Sequence, residues 1–324
     1  MLSLLLFLPL LSALSSVPCQ TPEACIGGDP SSLHLIQPLD SSSQHLMLAV
    51  TGSGAGEAFS IRYLERDEEG NVEWIMGPDS YLKPTWSSSY LKNGNLAFWA
   101  PEFVPSEEEP ESSGKMYYSI SGGGINPSVD SISEFCIGLA YGTVHSLQNI
   151  TWSDAGSPVI CVSSEQANVG APHAIDPSVV KSGERLYLTF GSWSDYGDGE
   201  NQGARGGGVW MNELDPLTGM LKESVLEECG DDFPNCFNDE HFISAANHRG
   251  YNADEGYVDG NSIEASYIYH HETSGEYFMF VNWFYCCRGV DSTYQIMVGK
   301  SDKVEGPYYD KNGVSLVDTV ADTQ

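Results

Sequence analysis

Basic residues are scarce in this chain. Fourteen Lys and Arg face 45 Asp and Glu, giving a formal net charge of −31 over 324 residues. Such a surface repels phosphate, so nucleic acid is excluded as a partner. Anionic lipid and de-esterified pectin are repelled for the same reason. A neutral ligand is the natural partner, although the same charge also serves plain solubility. Long apolar runs are missing beyond the amino terminus, so no other stretch is able to cross a bilayer. Sustained 3.6-residue periodicity is missing as well, which argues against a helical fold. No C-x2-C pair or nearby Cys/His cluster has metal-ligand spacing, so zinc is disfavoured and no metal ligand is assigned.

What is present suits a turn-rich β-protein: 34 Gly, 17 Pro and abundant aromatic residues. Four segments share one plan, in which an acid or Trp beside Pro or a small residue precedes an apolar strand, a polar turn and a second strand. They are Gly28-Asp29-Pro30 leading to Leu46–Gly54, Trp99-Ala100-Pro101-Glu102 leading to Met116–Ser121, Ala174-Ile175-Asp176-Pro177 leading to Leu186–Trp193, and Ile263-Glu264-Ala265-Ser266 leading to Tyr277–Trp283. Further strand-like runs follow at Phe59–Leu64, Ile137–Thr143, Gly208–Leu214 and Tyr294–Gly299. The units lie roughly 70 to 90 residues apart, longer than the about 40 to 50 of common propeller repeats. Four short strands per unit is nevertheless the content of a propeller blade. Radial packing would bring the blade mouths, each with its acid, to one pocket. The alternative is a β-sandwich with unrelated acids at its strand ends.

Met1–Ser16 is a short apolar run ending in small residues, which reads as a secretory signal cleaved near Ser15–Val17. The alternative is a misplaced start before a cytosolic domain. With the signal removed, residues 17–324 form one expected domain, secreted and monomeric. The eight cysteines (Cys19, Cys25, Cys136, Cys161, Cys229, Cys236, Cys286 and Cys287) suit disulfides in an exported chain and allow 105 connectivities. Cys19–Cys25 and Cys229–Cys236 are the shortest closures, Cys136–Cys161 would tie one blade, and Cys286-Cys287 is either a vicinal bridge or two separate thiols. Asn149-Ile150-Thr151 is a glycosylation sequon in a eukaryotic secretory route. Tyr196–Gly208 and Cys229–Gly260 read as insertions that could wall a cleft. Asp231, Asp232, Asp239 and Glu240 in the second have carboxylates suited to calcium, but a solvated acidic loop fits them better.

Several motifs together resemble one family. Cys286-Cys287-Arg288-Gly289-Val290-Asp291-Ser292-Thr293-Tyr294 resembles the CCRG-V-x-STY signature of arabinan endo-1,5-α-L-arabinosidases in glycoside hydrolase family 43. Trp99-Ala100-Pro101-Glu102 resembles that family's WAPD element, and Ala174-Ile175-Asp176-Pro177 matches its AIDP element. Lys303-Val304-Glu305-Gly306-Pro307-Tyr308 resembles the closing V-x-GPY, and Gly28-Asp29-Pro30-Ser31 the first-blade HDPS. The similarity covers roughly Cys25 to Gly313.

The resemblance implies an all-β, five-bladed β-propeller whose last blade is incomplete in this chain. It implies an inverting hydrolase of α-1,5-linked arabinan or arabino-oligosaccharides. Glu264 would be the general acid, Asp29 the general base, and Asp176 the carboxylate that tunes and orients Glu264. Trp99, Ser192, Trp193 and Phe284 would line the sugar-binding cleft. No cofactor is certain, with calcium at the propeller axis as an open option. Gly28 replaces the family's His before the first acid, His173 replaces Asn before AIDP, and the family's axial histidine has no counterpart here. Two alternatives stay open: a carbohydrate-binding propeller without turnover, and an exo-acting xylosidase or arabinofuranosidase of the same family.

Overall fold

The computed structural model describes residues 30–51, 59–66, 69–80, 84–91, 96–110, 112–122, 135–162, 172–192, 208–222, 243–246, 263–284, 286 and 289–317. The expected leader, Asp29, Trp193, five of the cysteines and the acidic residues 231–240 lie outside them. Residue contacts divide the chain into two compact units, Met1–Val159 and Ile160–Gln324.

The first unit holds two antiparallel meanders. One runs in chain order through β1 (Pro30–Ile36), β2 (His45–Thr51), β3 (Phe59–Arg66) and β4 (Val72–Ser80). The other runs through β5 (Ala97–Pro105), β6 (Ser113–Ser121), β7 (Phe135–Ser146) and β8 (Asn149–Asp154). A single helical turn, α1 (Ser87–Tyr90), lies between them. Its entry is held by Asp154, which accepts from the Thr85 amide and hydroxyl and from the Trp86 indole. The middle strands are apolar on both faces, as they must be when a sheet is covered on both sides. Met47, Ala49, Ile61, Tyr63, Met116, Tyr118 and Leu139 are all buried. Gly138 lets the Tyr118 ring lie flat on the sheet, since a Cβ there would fall 2.3 Å from the ring.

The second unit begins with the short β9 (Ile160–Val162). A third meander follows, β10 (Ser178–Ser182), β11 (Arg185–Phe190), β12 (Val209–Leu214) and β13 (Ile243–Ala246), and then a fourth, β14 (Ile263–His271), β15 (Glu276–Trp283) and β16 (Gln295–Ser301). The two sheets share a core of Tyr187, Met211, Ile263, Met279, Trp283 and Tyr308. The hydroxyls of Ser182 and Tyr277, 2.6 Å apart, link them at one edge. Arg185 reaches Glu213 at 2.7 Å and Glu305 at 2.8 Å, and Tyr187 donates to the same Glu305.

The fold is therefore all-β, built from four blade-type sheets whose strands follow one another in sequence. The Greek-key crossings usual in β-sandwiches are not seen between these sheets among the described strands. Cys136, Cys161 and Cys286 are all disulfide-bonded, in keeping with the disulfides expected from the cysteine content. No helix among the described residues is long and apolar enough to cross a membrane.

Candidate active site

The first strands of the sheets carry a one-residue irregularity, in β1 between Pro30 and Ser32 and, with a left-handed residue inside it, in or just ahead of three others. In β5, Trp99 pairs with Ser119 and Glu102 with Tyr117, so one extra residue is accommodated between them. In β14, Glu264 pairs with Asn282 and Tyr267 with Phe280, again with one residue too many. Ahead of β10, Gly191 donates to the Ile175 carbonyl at 3.0 Å while Ser178 pairs with Thr189, which is the same offset. The residue absorbing each of these three bulges has a left-handed backbone: Ala100 at φ 45°, Asp176 at 52° and Ala265 at 51°. Such conformations cost free energy for residues other than Gly, and they collect at functional sites. Bulges of this kind re-aim the neighbouring side chains.

The shared register fixes where the two acids sit. Asp176 and Glu264 do not occupy equivalent places. Asp176 is itself the left-handed residue, whereas Glu264 precedes the left-handed Ala265 and corresponds to Trp99 and Ile175. Across these neighbouring sheets Asp176 reaches the residue next to Glu264, and both acids lie close enough to act on Tyr294. Asp176 Oδ2 accepts a 3.0 Å hydrogen bond from the Ala265 amide, the residue next to Glu264. A second link runs from the Ser266 hydroxyl to Thr189 Oγ1 at 2.9 Å, both buried.

Two residues that the sequence reading did not single out complete the cluster. The Tyr294 hydroxyl donates to Glu264 Oε1 at 2.6 Å. Asn282, directly across the hairpin from Glu264, also hydrogen-bonds the Tyr294 side chain. Removal from water, followed by the adjacent Glu264 carboxylate and then Asp176, holds this phenol protonated far above its ordinary range. Tyr294 is thus a fixed donor. Its signal was in the sequence, as the last residue of the Ser-Thr-Tyr run. Asn282 becomes visible only once the hairpin register is drawn.

The remaining expected residues fall as follows. Ser192 is fully buried, and its carbonyl accepts from the Gly208 amide at 2.9 Å. Phe284 is half-buried, left-handed at φ 68° and edge-on to Trp283. Trp99, in the first unit, lies against Phe135 with ring centroids 5.9 Å apart. Asp29 and Trp193 lie outside the described residues. Among the described residues no group of three or more His, Cys, Asp or Glu could hold a metal ion.

Residues 80–324 match the family model for glycosyl hydrolases family 43, three-quarters of the chain. The chain belongs to glycosyl hydrolase family 43. One family relative, the extracellular endo-α-(1→5)-L-arabinanase 1 of Bacillus subtilis, is 29% identical over 82% of this chain and 65% of its own length. Another, the extracellular exo-α-(1→5)-L-arabinofuranosidase ArbA of Cellvibrio japonicus, is 27% identical over 75% of this chain and 58% of its own. The chain thus spans less than two thirds of the length of either family member. Among solved structures, the family 43 endo-arabinanase of Bacillus licheniformis superposes with a TM-score of 0.60 and 25% identity. That superposition covers 93% of this chain and 80% of that one.

Proposed function

We propose that this family 43 protein is a secreted glycosidase that cuts α-1,5-arabinofuranosidic bonds in arabinan with inversion at the anomeric carbon. The observation that carries the reading is the meeting of Asp176, Glu264 and Tyr294. Two carboxylates on neighbouring blades converge beside a phenol whose proton is held above its ordinary range by removal from water and by the adjacent carboxylates.

Glu264 acts as general acid and protonates the departing sugar oxygen. Asp176, fixed to the amide beside Glu264, favours the protonated form of that acid through like-charge proximity. Asp29 acts as general base and takes the proton from the attacking water. Inversion of this kind needs the acid and base carboxyls about 6.5–9.5 Å apart, leaving room for the water. Trp99, Trp193 and Phe284 supply apolar faces for the furanose rings, and Ser192 shapes the cleft wall beneath. The names of the two curated relatives support both the linkage and an extracellular setting. No step is routed through a metal.

We further propose five blades. One face of the β14–β16 sheet packs on the preceding blade, while the other presents Tyr267, Phe278, Phe280, Ile296 and Val298. Tyr267, Ile296 and Val298 are 46%, 56% and 43% exposed. An apolar sheet face of this kind is what a neighbouring blade covers.

The test is reducing-sugar release from debranched arabinan, run beside binding of arabino-oligosaccharides. Glu264→Gln is expected to lose about 10²–10⁴-fold in rate, the usual contribution of general acid catalysis, while binding persists. Binding without release in both proteins would make the chain a carbohydrate-binding propeller instead. An exo reading is kept open by the exo-acting relative. Release of single arabinose units, with no shortening of internal chain, would select it.

A further inference from the structure

We propose that Tyr294 is a positioning residue for Glu264, selecting through its hydrogen bond to Oε1 the opposite oxygen, Oε2, as the one that carries and delivers the proton. This rests on reading Glu264 as the general acid.

The inference starts from the direction of the hydrogen bonds. A phenol has one proton, and here it lies toward Glu264 Oε1 at 2.6 Å. Asn282 favours the ionised form of the same phenol, as an amide N–H donating to its oxygen does. The chain of donors therefore runs from Asn282 to Tyr294 to Glu264. An oxygen already accepting a short hydrogen bond is the poorer place for the acid's own proton. The backbone makes the arrangement local to one sheet. Glu264 on β14 faces Asn282 on β15, and Asn282 faces Ile296 on β16, two residues after Tyr294. Tyr294 is 37% exposed, so its ring borders the open side of the site rather than filling the core.

The contact also has a chemical consequence. A hydrogen bond donated to a carboxylate favours its ionised form, so Tyr294 opposes the effect of Asp176. After proton transfer the new Glu264 carboxylate is stabilised by the same bond, which lowers the energy of the step. Among the described residues the groups near Glu264 include Tyr294, ahead of β16, which donates to it, the uncharged Asn282 paired with it on β15, and Asp176, ahead of β10, which holds the adjacent Ala265 amide.

The experiment compares wild type, Tyr294→Phe and Glu264→Gln on debranched arabinan across pH, with thermal unfolding as the fold control. Tyr294→Phe is expected to keep KM within about 2-fold and to lower kcat about 10- to 100-fold, the scale of a hydrogen bond to a charged group. Its alkaline limb should move to higher pH by about one pH unit, because the bond that favoured the ionised acid is gone. On an aryl arabino-oligosaccharide with an acidic leaving group, which needs little proton assistance, the kcat defect should shrink. Wild-type kcat and pH profile in Tyr294→Phe, with Glu264→Gln inactive, would overturn the positioning role alone. An equal kcat loss on both substrates with an unmoved alkaline limb would also overturn it. An active Glu264→Gln would instead overturn the general-acid reading beneath it.

Discussion

At the residue scale, Asp176 does two jobs with one side chain. It tolerates the left-handed backbone at φ 52°, which Asp and Asn adopt more readily than most residues, and it holds the Ala265 amide. Asp176→Asn separates these jobs from charge. The amide oxygen still accepts the Ala265 N–H and the backbone stays accessible, so the melting temperature should stay close to wild type. The charge beside Glu264 disappears, and with it the repulsion that favours the protonated acid. The alkaline limb of kcat/KM should therefore move to lower pH, by about one pH unit or more. That is opposite in sign to the shift expected for Tyr294→Phe. A limb that stays put in Asp176→Asn would remove Asp176 from its tuning role.

At the element scale, the unit of construction is the bulged inner strand. The sequence showed the strands well. The runs read at Leu46–Gly54, Met116–Ser121 and Tyr277–Trp283 overlap β2, β6 and β15, and those at Phe59–Leu64, Ile137–Thr143 and Gly208–Leu214 overlap β3, β7 and β12. They were legible because buried middle strands are continuously apolar. The fourth strands, β4 and β8, went unassigned because their burial is partial and their composition mixed. The bulges were legible only as the small or Pro residues following Trp99, Ile175 and Glu264. The one-residue offset between Asp176 and Glu264 could not be read from spacing, since it depends on cross-strand register. The Tyr294 contact was hidden for the same reason. Ala265→Val tests the bulge itself. A β-branched side chain is poorly tolerated at φ 51°, so stability should fall by about 1–3 kcal/mol in urea unfolding. Activity should fall further than stability, because Glu264 is carried by the same bulge. Ala265→Gly should fold normally and keep activity. Equal stability in the Val and Gly variants would mean that the left-handed conformation is not required.

At the scale of the whole molecule, charge is the dominant feature. A net charge of −31 repels itself in the compact state as well as repelling anionic polymers. Salt shortens the reach of that repulsion, from about 30 Å at 0.01 M to about 3 Å at 1 M. The thermal midpoint should therefore rise as sodium chloride is raised across that range. A falling midpoint would mean that attractive pairs such as Arg185–Glu213 and Lys300–Glu276 outweigh the general repulsion. The charge is compatible with the proposed substrate, since a neutral polymer meets no electrostatic barrier at this surface. Time-resolved proton NMR of debranched arabinan digested by the full chain tests the central claim most directly. Prompt cleavage in which the new reducing ends appear first as the inverted anomer is the expected result. Absence of cleavage, or first-formed ends that retain the original configuration, would contradict it.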